Sequence, residues 1–211
     1  MPKDTSGLLS QYGSSDTLNE LLTILKNKGI DPTYSTSYTI PGYGAHDKYT
    51  DEIFINPLKG AVENSLVHET QHAVNDAMGR MYAGISNTPS FLRSAQEQAF
   101  YDAYTKLYVE PSKIPNANTK SLGEYRGNTN ELTAHGVGNM SAQYPIGSLT
   151  DPQGDYKLPH SHVDATMASN AAVMRDIYNR IPNTAPKTIQ DLFPRLINYI
   201  RYRDPFGDTT K

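Results

Sequence analysis

Residues 60–80, GAVENSLVHETQHAVNDAMGR, place Val62, Leu66, Val67, Ala73, Val74, Ala77 and Met78 at helical spacing, with Gly79 suited to end the run. The stretch predicts an amphipathic helix, and its middle reads His68-Glu69-Thr70-Gln71-His72, an HExxH pattern. Residues four apart on an α-helix lie within ~40° of each other and roughly 6 Å along one face, so His68 and His72 can share one ion. Zinc takes neutral imidazole nitrogen at ~2.0–2.1 Å, and a catalytic zinc site combines three protein ligands with an open fourth position. Glu69, next to the first histidine, is placed to take a proton from the attacking water and pass it to a leaving amine. Three such fixed positions match by chance on the order of once per hundred chains of this size. The competing reading is therefore a coincidental histidine pair on a surface helix. The mid-helix position, the strand-like segment before it and the apolar flanks weigh for the metal.

Working outward, residues 17–28 carry Leu18, Leu21, Leu22 and Leu25 on one face, with Thr17 and Glu20 spaced as a capping box and Gly29 as a stop. Residues 33–56 change character: TYSTSYTI and DEIFINP read as two strands around the turn material PGYGAHD. Ile53 and Ile55 are expected to face inward, with EIFIN, residues 52–56, as an edge strand whose free backbone groups border the active-site cleft. Downstream, 91–108 and 130–142 read as helices, the second weakened by Gly136 and Gly138. Two further helical segments cover 164–181 and 188–203, the last broken at Pro194. Loops fill 110–128 and 144–163. The expectation is a helix-rich α+β domain with a small mixed sheet. An N-terminal lobe would span about 15–82 and a helical lobe about 90–205.

Composition narrows the chemistry. The 211 residues suffice for a real core, and a formal net charge of -3 without a basic block makes nucleic acid an unexpected partner. With no cysteine, any metal must be held by His, Asp or Glu. The N-terminus MPKDTSGLLSQYGSS has no signal-peptide pattern, and no apolar run reaches the ~18 residues of a membrane span. A soluble chain is expected, cytoplasmic in the producer, exported by a signal-independent route, or seen without its leader.

The third ligand is not set by the motif. HETQHAVNDAM has Asn75 and Met78 where a third-histidine metzincin needs Gly and His, and no GTxDxxYG segment supplies an aspartate. Glu97 and Glu131, both on predicted helices, remain as candidates. Glu97 is otherwise expected in a solvated i,i+4 contact. Asp76, one turn beyond His72, is placed to orient an imidazole. His46, His160 and His162 fall in turn or loop sequence and are expected to be exposed.

HETQHAVND (68–76), EYRGNTNELTAHG (124–136) and APKTIQDL (185–192) together resemble the metalloprotease domain of anthrax lethal factor and the clostridial Pro-Pro endopeptidases, over roughly residues 50–203. The resemblance implies a zincin fold of gluzincin type. It implies one zinc ion on His68, His72 and Glu131, Glu69 as general base, and Tyr125 as the hydroxyl that steadies the oxyanion. Tyr125 lies six residues before Glu131 where the family has seven. Leu132 and Thr133 replace an aromatic pair, and His135 stands in place of a second acid, which makes it an alternative oxyanion donor. The implied function is a zinc endopeptidase of effector or toxin type acting on an extended protein or peptide substrate. A non-catalytic zincin-fold binding module and a zinc hydrolase of cell-wall amides are the alternatives.

Overall fold

The computed structural model describes residues 3–5, 7–109, 129–141, 160–183 and 192–202. Strand β1 is Lys3–Asp4, helix α1 Leu8–Tyr12 and helix α2 Asp16–Asn27. Strands β2 (Thr33–Thr36), β3 (Gly44–Asp47) and β4 (Glu52–Ile55) complete a mixed sheet of order β1-β2-β4-β3. Helix α3 (Val62–Ser86) carries the HExxH pattern. Helices α4 (Ala95–Tyr104), α5 (Thr129–Ser141), α6 (His160–Arg180) and α7 (Phe193–Tyr202) follow. The architecture is helix-rich α+β. Among the described residues no helix is long and apolar enough to cross a membrane.

Helix α2 forms where its leucines predict, with Leu18, Leu21, Ile24 and Leu25 buried. Each such side chain is worth about 1.5–3 kcal/mol on burial. Its N-cap is Ser15, whose hydroxyl accepts from the Leu18 amide, and not Thr17. Glu20 is drawn away from a capping role by Arg175, whose Nε lies 3.1 Å from its carboxylate. Gly29 ends the helix as expected: with φ at 73° it lets the Ile30 amide fold back onto the Leu25 carbonyl.

The sheet departs from expectation in a way that matters for the site. EIFIN is not an edge: β4 pairs in parallel with β2 and antiparallel with β3. Ile53 and Ile55 are fully buried, so the inward alternation holds. Among the described strands the edge on that side of the sheet is β3, formed by GAHD, a Gly- and Asp-containing stretch with turn composition that becomes a strand because β4 offers it a ladder.

Helix α3 runs past Gly79 to Ser86 because apolar burial continues through Ile85. Gly79 instead makes room for a neighbour, since a Cβ there would lie 3.1 Å from the Tyr104 hydroxyl. The segment 91–108 is not one helix. A 3-10 turn at Ser90–Leu92 precedes α4, and Thr105–Val109 winds as a π-helical turn. Helix α6 begins at His160, inside the segment expected as loop. Pro194 falls in the first turn of α7, where its missing amide costs nothing, and so starts that helix instead of breaking it. One hydrophobic cluster joins α2, the sheet, α3, α5 and α6, with Leu66, Val67, Val74, Met78, Val137, Met174 and Tyr178 among its members.

Candidate metal centre

Rotation of α3 about its axis is fixed by the two central residues of the HExxH pattern. Thr70 is fully buried and its hydroxyl lies 2.9 Å from the Tyr34 hydroxyl on β2. Gln71, also fully buried, accepts from Arg175 of α6 at 2.9 Å. With these two anchored on opposite neighbours, His68, Glu69 and His72 turn together toward β3 and α5.

Helix α5 supplies the third donor. It lies close against α3 because Gly138 has no side chain: a Cβ there would meet Asn64 Oδ1 at 2.7 Å and His68 Cβ at 3.4 Å. Asn64 Nδ2 donates to Asn139 Oδ1 at 2.9 Å beside this contact. Two turns earlier on α5, Glu131 faces the histidines. His68 Nε2 and His72 Nε2 are 3.1 Å apart, Glu131 Oε1 is 3.3 Å from His72 Nε2, and Glu131 Oε2 is 3.6 Å from His68 Nε2. Ligand atoms ~2.0–2.1 Å from a tetrahedral ion stand about 3.3 Å from one another. The imidazole–imidazole separation and each imidazole's distance to its nearer Glu131 oxygen bracket that spacing. His68, His72 and Glu131 thus form a group that could hold a metal ion, with donors of the type zinc accepts.

Glu69 is outside the triangle but beside it, with Oε1 4.0 Å from His68 Nε2 and only 7% of the residue exposed. Burial pushes its carboxyl above the usual range, against the pull of the His68 and His72 imidazoles. Burial draws the His72 imidazole down, but the hydrogen bond and charge of Glu131 outweigh it and raise the group overall. The wall beyond Glu69 is strand β3: a Cβ on Gly44 would lie 2.6 Å from Glu69 Cγ and 2.8 Å from Oε1. Only glycine allows this approach. The strand that borders Glu69 is therefore β3, not EIFIN.

Of the other residues singled out from sequence, His135 lies near the centre, its Nε2 4.0 Å from Glu131 Oε2 and its ring centroid 4.4 Å from that of His68. Its side chain is 37% exposed. Tyr125 lies outside the described residues, as do the loops 110–128 and 144–159. Glu97 is neither solvated nor near the histidines. It closes a capping box with Ser94 and takes a 2.6 Å contact from Arg195 Nη1. Asp76 does not serve a ligand imidazole; its Oδ2 is 3.2 Å from His46 Nδ1. The His46 side chain is correspondingly buried on β3 instead of exposed in a turn, because Gly44 and His46 share the strand face that lies on α3. His160 and His162 fall on the first turn of α6.

Sequence reasoning missed Gly44, Gly138, Thr70, Gln71, Asn75 and Arg175 as supports of the site. Gly138 had a legible signal, since glycine inside a helical pattern marks close approach of a neighbour, whereas Gly44 stood in a stretch with turn composition. Nothing local pairs Arg175 with Gln71.

Scans against family models, curated proteins and solved structures found no match for this chain.

Proposed function

We propose that the protein is a zinc-dependent endopeptidase of gluzincin type, similar in its site to the lethal factor and Pro-Pro endopeptidase group. The observation that carries the reading is the placement of Glu131 against His68 and His72 at 3.6 and 3.3 Å, with a second carboxylate, Glu69, adjacent but outside the group. Three donors plus a separate buried carboxylate is the division of labour that metal-assisted hydrolysis requires. His68, His72 and Glu131 would hold the ion. Zinc, when bound, lowers the pKa of water to ~7 and polarises the scissile carbonyl.

The chain's own residues do the rest. Glu69 takes the proton of the attacking water and returns it to the leaving amine. Its position between Gly44 and His68 keeps it oriented and largely out of solvent. His135, half-exposed at the rim, is the described residue best placed to donate to the oxyanion, and Tyr125 is the alternative. Among the described residues strand β3 pairs on one side only, with β4, and its other edge would take an extended peptide laid across the centre.

The test is zinc content and hydrolysis of a peptide library by wild type and Glu69→Gln. The expected result is one zinc per chain in both and a fall of roughly 10²–10⁴-fold in kcat for the variant. Equal hydrolysis by both, or none by a zinc-loaded wild type, would remove the protease reading. Cell-wall peptides in the same panel separate the amide-hydrolase alternative.

A further inference from the structure

The residue one turn beyond His72 is Asn75, which is only 3% exposed. All four hydrogen-bonding positions of that amide are used. Its oxygen accepts from Gln71 Nε2 at 2.7 Å and from the Tyr108 hydroxyl at 3.1 Å. Its nitrogen donates to Asn130 Oδ1 at 2.5 Å and to Thr133 Oγ1 at 3.1 Å. Asn130 and Thr133 flank Glu131 on α5. The other side of the network is equally fixed, because Gln71 accepts from Arg175 and Arg175 also contacts Glu20.

We propose that Asn75 is a positioning residue for the third metal ligand, holding the first turn of α5 against α3 so that the Glu131 carboxylate meets the two imidazoles. The inference rests on the metal-centre reading above. The physical case is that Glu131 sits in a helix's first turn, where the backbone is least held by its own ladder. A ligand placed there needs an outside anchor. Asn75 supplies one on each side of Glu131 and shares its helix with both histidines, so the three donors are referred to a single rigid element. A fully satisfied buried amide has one preferred orientation. Losing either end removes a hydrogen-bond partner from Asn130, Thr133, Tyr108 or Gln71.

The test is zinc affinity, measured by chelator competition on the whole chain, in a double-mutant cycle of Asn75→Ala with Glu131→Ala. Supports that orient metal ligands typically account for roughly 10–100-fold in metal affinity, and that loss is expected for Asn75→Ala alone. In the Glu131→Ala background the same change is expected to do almost nothing, since the ligand it positions is gone. Thr133→Val, which removes one acceptor and keeps the shape, is expected to weaken zinc less but in the same sense, and it serves if Asn75→Ala does not fold. Equal losses in both backgrounds would show a general structural role and overturn the proposal, as would unchanged affinity in both Asn75→Ala and Thr133→Val. A wild type that binds no zinc would instead remove the metal centre itself.

Discussion

Glu97 and Glu131 stand at the same place in their helices, the third residue of α4 and of α5, and both are buried. Their surroundings give them opposite tasks. Glu97 reaches back to the Ser94 amide at 2.7 Å and holds Arg195 at 2.6 Å, so its charge is consumed within the scaffold. Glu131 faces the imidazoles of His68, His72 and His135. A first-turn glutamate is by default a cap, favoured by the helix dipole. What turns one outward into a candidate ligand is the anchoring of the helix beneath it, through Asn75, Asn130, Thr133 and the close approach at Gly138.

Exchanging the two positions is the hardest test of that contrast. Glu131→Ala should lower zinc affinity by more than the roughly 100-fold expected for a supporting residue, and hydrolysis should fall with it. Glu97→Ala should leave zinc affinity within about 3-fold while lowering thermal stability by roughly 1–3 kcal/mol from the lost cap and charged hydrogen bond. Isothermal titration and thermal melts on the same two variants decide it. Comparable zinc loss in both would mean that the two glutamates are not functionally distinct.

Helix approach gives a finer probe. Gly138→Ala sets overpacking of about 1–3 kcal/mol against ~1 kcal/mol of improved helix propensity, for a net loss of about 1 kcal/mol. Because the intruding methyl pushes α5 from His68, zinc affinity should weaken as well. A stabilised variant with unchanged zinc affinity would show that the helices can separate without cost to the centre.

The smallest expected effect is a pH dependence. Desolvation raises the Glu97 carboxyl, but the Arg195 hydrogen bond and the Ser94 cap prevail and hold it below its ordinary value of 4.5. A carboxyl depressed in the folded state contributes stability above the unfolded value and loses it as pH falls through the lower folded value. The stability gap between wild type and Glu97→Gln should therefore be full at neutral pH and shrink on acidification below about pH 4.5. Melts across that range read it directly; a gap that widens in acid would reverse the assigned sign.

Much of this was legible where the information is local. The leucines of α2, the inward isoleucines of β4 and the His68–His72 pair follow from spacing alone, because three or four residues of one element decide them. Glu131 was preferred to Glu97 only through a resemblance, since the two have the same helical position and chemistry, and Arg195, which occupies Glu97, lies far along the chain. GAHD read as a turn because short strands take their identity from a partner, and the partner was β4. The same holds for His46, hidden by Asp76 across the strand–helix contact. Gly79 misled for the opposite reason, its absent side chain serving Tyr104 instead of ending a helix.

The two histidines are neighbours in sequence, whereas Glu131 arrives from about sixty residues later, a separation whose closure entropy grows only slowly with length. An ion bound at all three would act as a removable crosslink across that span, reporting on chain closure as well as on chemistry. The histidine pair alone is available as soon as α3 forms, so a folding chain could hold metal loosely before α5 docks and tightly afterward. The order in which the centre matures would then be written into the topology of the α3–α5 pair.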